Sequence, residues 1–170
     1  DLSNIKTNDI VDDEHEVLMI KKRQSHYVAG RPKGYWFKWK IDPKTVDAIL
    51  MYASRGHGKR SSYYSDFTFG LWDGNEISPI CKAYFGFNDH ELKTLDKFVR
   101  NNTLKKFGPV REVIKTFVVE IAFDSINLSK RHKSGVALRF PRVKSLRQDK
   151  PVSEVIQLVQ FKSEFIKNFK

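Results

Sequence analysis

Asp73-Gly74-Asn75 is a tight turn set between two runs that read as β-strands, Asp66 to Asp73 and Glu76 to Phe85. A turn of this composition joins antiparallel neighbours, so it commits the middle of the chain to a hairpin. The rest of the pattern is arranged around that hairpin. Before it lie an apolar strand from Thr45 to Ser54 and a basic loop, Arg55-Gly-His-Gly-Lys-Arg60. After it, Asn88-Asp-His-Glu91 has the form of a capping box. The box opens a helix with Leu92, Leu95, Phe98 and Val99 on one face, expected to end before Gly108-Pro109. Phe117 to Phe123 alternates with period two, and Ser125 to Lys133 reads as a polar loop. Beyond the loop Val136, Leu138 and Phe140 are expected on one face of a last strand, with Arg139 on the other.

Three strands, a helix and two further strands are the order of a mainly β chain folded as a five-stranded OB-fold Greek-key barrel, with one helix between strands 3 and 4. A C-terminal helix over Val155 to Phe169, with Leu158, Phe161 and Phe165 at helical spacing, is expected to cover the barrel or a partner surface. Two more strands precede the turn at Asp42-Pro43. Glu16 to Arg23 reads as a buried strand ending in charge, and Tyr35 to Lys40 as a second one beyond a Gly- and Pro-rich stretch. The expected division is residues 1–41 and 42–170.

A hydrophobic content of 40% and an aromatic content of 13% are those of a folded chain. The net charge of +11 and pI near 9.7 favour a polyanionic partner, nucleic acid ahead of membrane. No run is apolar enough to span a bilayer, and no signal segment opens the chain. The single Cys81 excludes an internal disulfide and a multi-cysteine zinc site, which implies a reducing, cytoplasmic setting. The sequons at Asn101 and Asn127 are then chance matches. Charge is uneven: Asp1 to Glu16 holds six acids and one base, whereas the chain from Val17 onward is strongly basic.

The basic character peaks in Ser129 to Lys150, with eight Lys or Arg residues against one acid, Asp149. Arginines along a strand present planar forks of donors suited to phosphate, although a solvated basic surface has the same composition. Lys38 and Lys40 share one face of their strand and Phe37 and Trp39 the other. The lysine pair suits a bound anion or an edge guarded against aggregation, and spacing leaves both open. Gly56-His-Gly58-Lys59 lacks the glycine spacing and following Ser or Thr of a nucleotide-binding loop. As the first loop of an OB barrel it can grip a nucleic-acid backbone through Arg55, Lys59 and Arg60. The five histidines show no ligand spacing. Tyr63, Tyr64, Phe67 and Phe69 suit base stacking, but such strand aromatics more often fill a barrel.

Arg139-Phe140-Pro141-Arg142 followed by Arg147-Gln148-Asp149-Lys150-Pro151 resembles the final motif of ATP-dependent DNA ligases, at the end of their OB-fold domain. Glu16 with Lys21, a Gly-rich turn and Trp36-Phe37-Lys38-Trp39-Lys40 resembles the fourth and fifth nucleotidyltransferase motifs of the same family, with Val17 where the family usually has Gly. The resemblance runs from about Glu16 to Pro151. It implies that residues 1–41 are the C-terminal remnant of an adenylation domain. It implies Glu16 as a ligand of a divalent metal (Mg2+ or Mn2+), and Lys21, Lys38 and Lys40 around the nucleotide phosphate. Arg147, Asp149 and Lys150 would orient the pyrophosphate leaving ATP. Lys130, Arg131, Lys133, Arg139 and Arg142, with Arg55, Lys59 and Arg60, would hold nicked double-stranded DNA.

The implied partners are that duplex and the catalytic domain that carries the nucleophilic lysine. An exposed edge in the N-terminal strands would invite dimerisation. The readings outside this family role are a non-catalytic OB module for single or double strands and a part of an RNA ligase or capping-type nucleotidyltransferase. The family's Lys-x-Asp-Gly motif occurs nowhere in this sequence. Incubated with labelled ATP and a divalent metal, the 170-residue chain is therefore expected to stay unlabelled, and a stable lysyl-AMP band on a gel would overturn that.

Overall fold

The computed structural model describes residues 17–21, 29–30, 36–40 and 42–166, in two compact units, Asp1–Asp42 and Pro43–Lys170. In the first unit β1 (Val17–Lys21) and β2 (Trp36–Lys40) pair antiparallel, with Val17 opposite Lys40, Met19 opposite Lys38 and Lys21 opposite Trp36. Glu16, the expected metal ligand, lies outside the described residues.

The second unit is built on one long strand. β3 (Lys44–Arg55) pairs with β4 (Tyr64–Asp73) on one side, and on the other with β8 (Val118–Phe123) and, toward its C-terminal end, β7 (Val110–Val113). β5 (Glu76–Ala83) continues beyond β4, and β11 (Arg142–Leu146) beyond β8, giving the path β11-β8-β3-β4-β5. That is the OB-fold path expected from the element order. The β4–β5 turn is the expected one, with Asp73 paired to Glu76 around Gly74 and Asn75. Register shifts in the β3–β4 and β4–β5 ladders bend these strands and curl the sheet. The curl carries β11 back to the end of β5, where the Val143 N–H donates to the Phe85 carbonyl at 3.0 Å. Phe67, Phe69, Leu71, Ile80, Val118 and Ile121 fill the interior.

Helix α1 (Asp89–Asn101) opens as expected: Asn88 Oδ1 accepts the Glu91 N–H at 2.8 Å and Glu91 Oε1 accepts the Asn88 N–H at 3.1 Å. Leu92, Leu95 and Val99 are buried, and the ring of Phe98 meets that of Phe117 edge to face at 4.8 Å. The same helix turns one carboxylate inward. Asp96 Oδ1 accepts the buried Tyr64 N–H at 2.8 Å, and its Oδ2 binds Arg100 Nε at 2.8 Å.

The helix ends at Asn101, before Gly108-Pro109 as expected. Asn102 Nδ2 donates to the Phe98 carbonyl at 2.8 Å and Thr103 Oγ1 to that of Val99 at 2.6 Å. Both side chains satisfy end carbonyls that a further turn would have used. Gly108-Pro109 then forms the tip of a hairpin, β6 (Thr103–Phe107) with β7, which adds two strands to the sheet.

A second hairpin replaces part of the expected polar loop. β9 (Ser125–Leu128) pairs with β10 (Val136–Arg139), so the arginine stretch is broken in two, with β11 alone serving as the last barrel strand. The break is at Phe140. Its φ of +55° reverses the expected facing, and the ring is 61% exposed instead of sharing the inward face of Val136.

After Pro151 the chain returns across the β4–β5 hairpin. Trp72 Nε1 donates to the Val152 carbonyl at 2.7 Å, and Gln157 Oε1 accepts the Gly74 N–H at 3.0 Å. Helix α2 (Leu158–Phe165) is shorter than expected and covers the barrel, with Phe161 and Phe165 stacked edge to face on Phe123 at 5.8 and 5.4 Å. No helix among the described residues is long and apolar enough to cross a membrane.

Gly86 tests the closure. Its φ is +98°, and a Cβ there would stand 2.3 Å from the Val143 carbonyl oxygen. Gly108, at φ +57°, has open space around it. Gly86→Ala is expected to cost about 2–4 kcal/mol and Gly108→Ala about 1 kcal/mol in urea unfolding. Equal losses would mean that β11 does not lie this close to Gly86.

Candidate phosphate and nucleic-acid interface

β3 and β8 are apolar strands that each carry a single acid within their barrel pairing, Asp47 and Glu120, and the register sets these two opposite each other. Like charges facing across a ladder repel, so the arrangement requires cations. The chain supplies them from β11 and the turn after it, where the Arg147 N–H bonds the Val118 carbonyl at 2.9 Å and the Lys150 N–H that of Arg147 at 3.1 Å. Lys150 Nζ donates to Asp47 Oδ2 at 2.6 Å. Arg147 Nη1 lies 3.6 Å from that same oxygen and 3.6 Å from Glu120 Oε2, while Lys144 Nζ is 3.1 Å from Glu120 Oε1. The side chains of Asp47 and Glu120 are 16% and 17% exposed and that of Arg147 35%, so the acids lie beneath the cations. Asp149 stands 3.6 Å from Arg147 Nε but is itself 78% exposed. Asp149 and Arg147 are thus within reach of each other, yet the main anchors are Asp47 and Glu120.

At the other end of β11 the backbone reversal at Phe140 builds a ridge of aromatic rings. Phe140 meets Phe85 edge to face at 5.9 Å and Phe85 meets Tyr84 at 5.3 Å, with Tyr84 and Phe140 64% and 61% exposed. Arginines flank the ridge. Arg142 Nη1 donates to the Phe140 carbonyl at 2.8 Å and pairs with Asp124 at 3.2 Å, which braces the reversed backbone. Arg60 Nη1 donates to the Tyr84 carbonyl at 3.1 Å and its guanidinium sits 5.1 Å from the Phe87 ring centroid. Arg139, the residue before Phe140, is exposed.

The remaining expected cations occupy two loops. Arg55, at the end of β3, donates to the Ser62 carbonyl at 3.2 Å and lies over Tyr64, so it closes the β3–β4 loop while remaining exposed. Lys59 is exposed in that loop, and Lys130, Arg131 and Lys133 are exposed between β9 and β10. Between the β6–β7 tip and the β9–β10 loop runs a groove of about 630 Å³, floored by side chains of β3, β4 and β5 and edged by Phe107, His132 and Lys133. Cys81 is in its wall, and burial pushes the thiol up to about 12, so it stays protonated and unreactive at neutral pH. Phe67 and Phe69 are wholly buried, as the packing reading of those aromatics required.

The expected residues are thus brought together in part. Arg147, Asp149 and Lys150 meet in one cluster, and Arg60 and Arg142 reach the ridge, with Arg139 next to Phe140 in the chain. Lys21 lies on β1 and Lys38 and Lys40 on β2, in the first unit. Among the described residues no group of three or more His, Cys, Asp or Glu is arranged to hold a metal ion. Sequence reasoning missed Asp47, Glu120 and Lys144, and the exposure of Tyr84 and Phe140. The legible signal for the first two was a lone acid in each of two strands that are otherwise apolar around it.

The protein is similar to known proteins over most of its length. The family described as ATP dependent DNA ligase C terminal region matches residues 60–150. A probable DNA ligase of Koribacter versatilis is 42% identical over 141 residues, 83% of this chain and 24% of the relative. A probable DNA ligase of Opitutus terrae is 40% identical over 144 residues, 83% of this chain and 14% of the relative. The chain therefore spans about a quarter or less of these relatives. The ligase domain of LigD from M. tuberculosis has a similar fold, with a TM-score of 0.58 and 22% identity over 84% of this chain and 47% of that one. By the match over residues 60–150, the chain belongs to the family of C-terminal regions of ATP-dependent DNA ligases.

Proposed function

We propose that this chain is the OB-fold portion of a nick-sealing enzyme, assisting lysine adenylation and holding duplex DNA during phosphodiester bond formation in repair or replication. One observation carries the reading: Arg147 and Lys150 converge on a single carboxylate oxygen, Asp47 Oδ2, at 3.6 and 2.6 Å. Two cations that meet at one anionic oxygen can meet at a phosphate oxygen instead, with the guanidinium fork adding direction. In phosphoryl transfer the protein contributes mainly by positioning and by neutralising charge on the departing phosphates. ATP supplies the adenylyl group and its pyrophosphate leaves. Arg147 and Lys150 take up the charge of that leaving group, and Asp149 restrains Arg147 from the solvent side.

In this reading the nucleophilic lysine belongs to an adenylation domain of which residues 1–41 form the last part. Lys21, Lys38 and Lys40 face the nucleotide phosphate in this reading and Glu16 a divalent metal. The DNA-facing surface is the ridge of Tyr84, Phe85 and Phe140 with the basic loops beside it. An exposed aromatic ring held by its backbone among arginines suits insertion against base edges of a duplex, while Lys59, Lys130, Arg131 and Lys133 meet phosphates. The lone, unreactive Cys81 is consistent with work in a reducing, cytoplasmic setting.

A second reading rests on the groove over β3, β4 and β5, which is the surface where OB barrels take single strands. Fluorescence anisotropy with nicked duplex and with a single strand of equal length separates the two. Nicked duplex is expected to bind more tightly, with a log–log salt slope of roughly −3 to −5 between 50 and 200 mM salt. Phe140→Ala is expected to weaken duplex binding about tenfold with that slope unchanged. Preference for the single strand would favour the groove, and affinity independent of salt would remove the electrostatic basis of both.

A further inference from the structure

We infer that Asp47 and Glu120 act as a resident counter-ion that occupies Arg147 and Lys150 until a polyphosphate displaces it. The inference rests on the proposed role of those two cations and adds positioning residues to it. Three features lead there. The cluster holds three acids (Asp47, Glu120, Asp149) and three bases (Lys144, Arg147, Lys150), so it is neutral in a chain of net charge +11. The acids sit opposite each other on adjacent strands, an arrangement with no gain in sheet stability of its own. They are also the more buried partners, so they are fixed in the barrel wall while the cations, on longer and more exposed stems, can turn toward a ligand.

The physical consequence is a competition. An isolated pair of cations on the surface would attract any phosphate of the DNA backbone. Held by two carboxylates, they offer little net potential to a single phosphate of charge about −1. A pyrophosphate group concentrates more negative charge in the span of the two side chains and can replace both carboxylates at once. The acids thus bias the site toward polyphosphate over the DNA backbone, and they keep Arg147 extended over β3 and β8 in the absence of ligand.

Inorganic pyrophosphate titrated into the 170-residue chain by calorimetry tests this. Asp47→Asn with Glu120→Gln is expected to bind pyrophosphate about three- to tenfold more tightly than the unaltered chain. Glu76→Gln with Glu154→Gln makes the same change in net charge at two exposed positions and is expected to change affinity less than about twofold. Equal gains in both double variants, or no gain in the first, would overturn the inference.

A second readout needs no variant. In the unaltered chain the carboxyl carbon resonances of Asp47 and Glu120 are expected to shift with the same midpoint as binding. If the Arg147 Nε–H resonance moved alone, the acids would not be displaced and the inference would fail. Arg147→Ala with Lys150→Ala reports on the underlying reading separately. If that variant bound pyrophosphate as well as the unaltered chain, the phosphate role of the two cations would be wrong, and the inference with it. If it bound more weakly while the acid variants gained nothing, only the inference would fall.

Discussion

A curled antiparallel sheet becomes a barrel only when its two edges meet, and here the meeting is a backbone bond from Val143 on β11 to Phe85 just after β5. Gly86 permits it, because any side chain at that position would collide with the carbonyl of Val143. From this contact follow the placement of α1 and of the aromatic ridge. The helix begins at Asp89, three residues beyond the closing glycine, and sends Leu92, Leu95 and Val99 inward. Phe85 turns its ring to Phe140 across the seam, so the ridge is built from both edges of the sheet. An aromatic ridge made this way depends on closure as much as the core does.

The same sheet decides how the charge is spent. Net charge alone describes a surface that attracts any polyanion. The register of β3 with β8 and of β8 with β11 subdivides it into a neutral cluster around Asp47 and Glu120 and a set of basic loops beside exposed rings. These two surfaces suit different anions. The cluster presents cations in a defined direction under the control of fixed acids, whereas the loops present dispersed charge suited to a phosphate backbone. The two surfaces stay apart, and β11 links them through its opposite ends.

Much of this was readable from local pattern. The capping box at Asn88 and Glu91, the turn at Gly74 and the alternation of Phe117 to Phe123 each correspond to an element in the structure, because each is set by interactions within a few residues. The β6–β7 hairpin was not readable. Thr103 to Phe107 is stabilised as a strand by β7, and β7 by β3, whose partner residues Tyr52 to Ser54 are nearly sixty positions away. Phe140 misled for a related reason. Period two predicts its facing only while φ stays negative, and the brace from Arg142 and the ring of Phe85 hold it at +55°.

The amino-acid order by itself determined the barrel strands β3, β4, β5 and β8 with the helix after β5, the surplus of cations and the signature in Arg139 to Arg142 and Arg147 to Lys150, since these depend on composition and on spacing along the chain. Only the tertiary structure decided which charges meet. Asp47 and Lys150 stand 103 positions apart in sequence and 2.6 Å apart in space, a proximity created by barrel closure and strand register that no local pattern encodes.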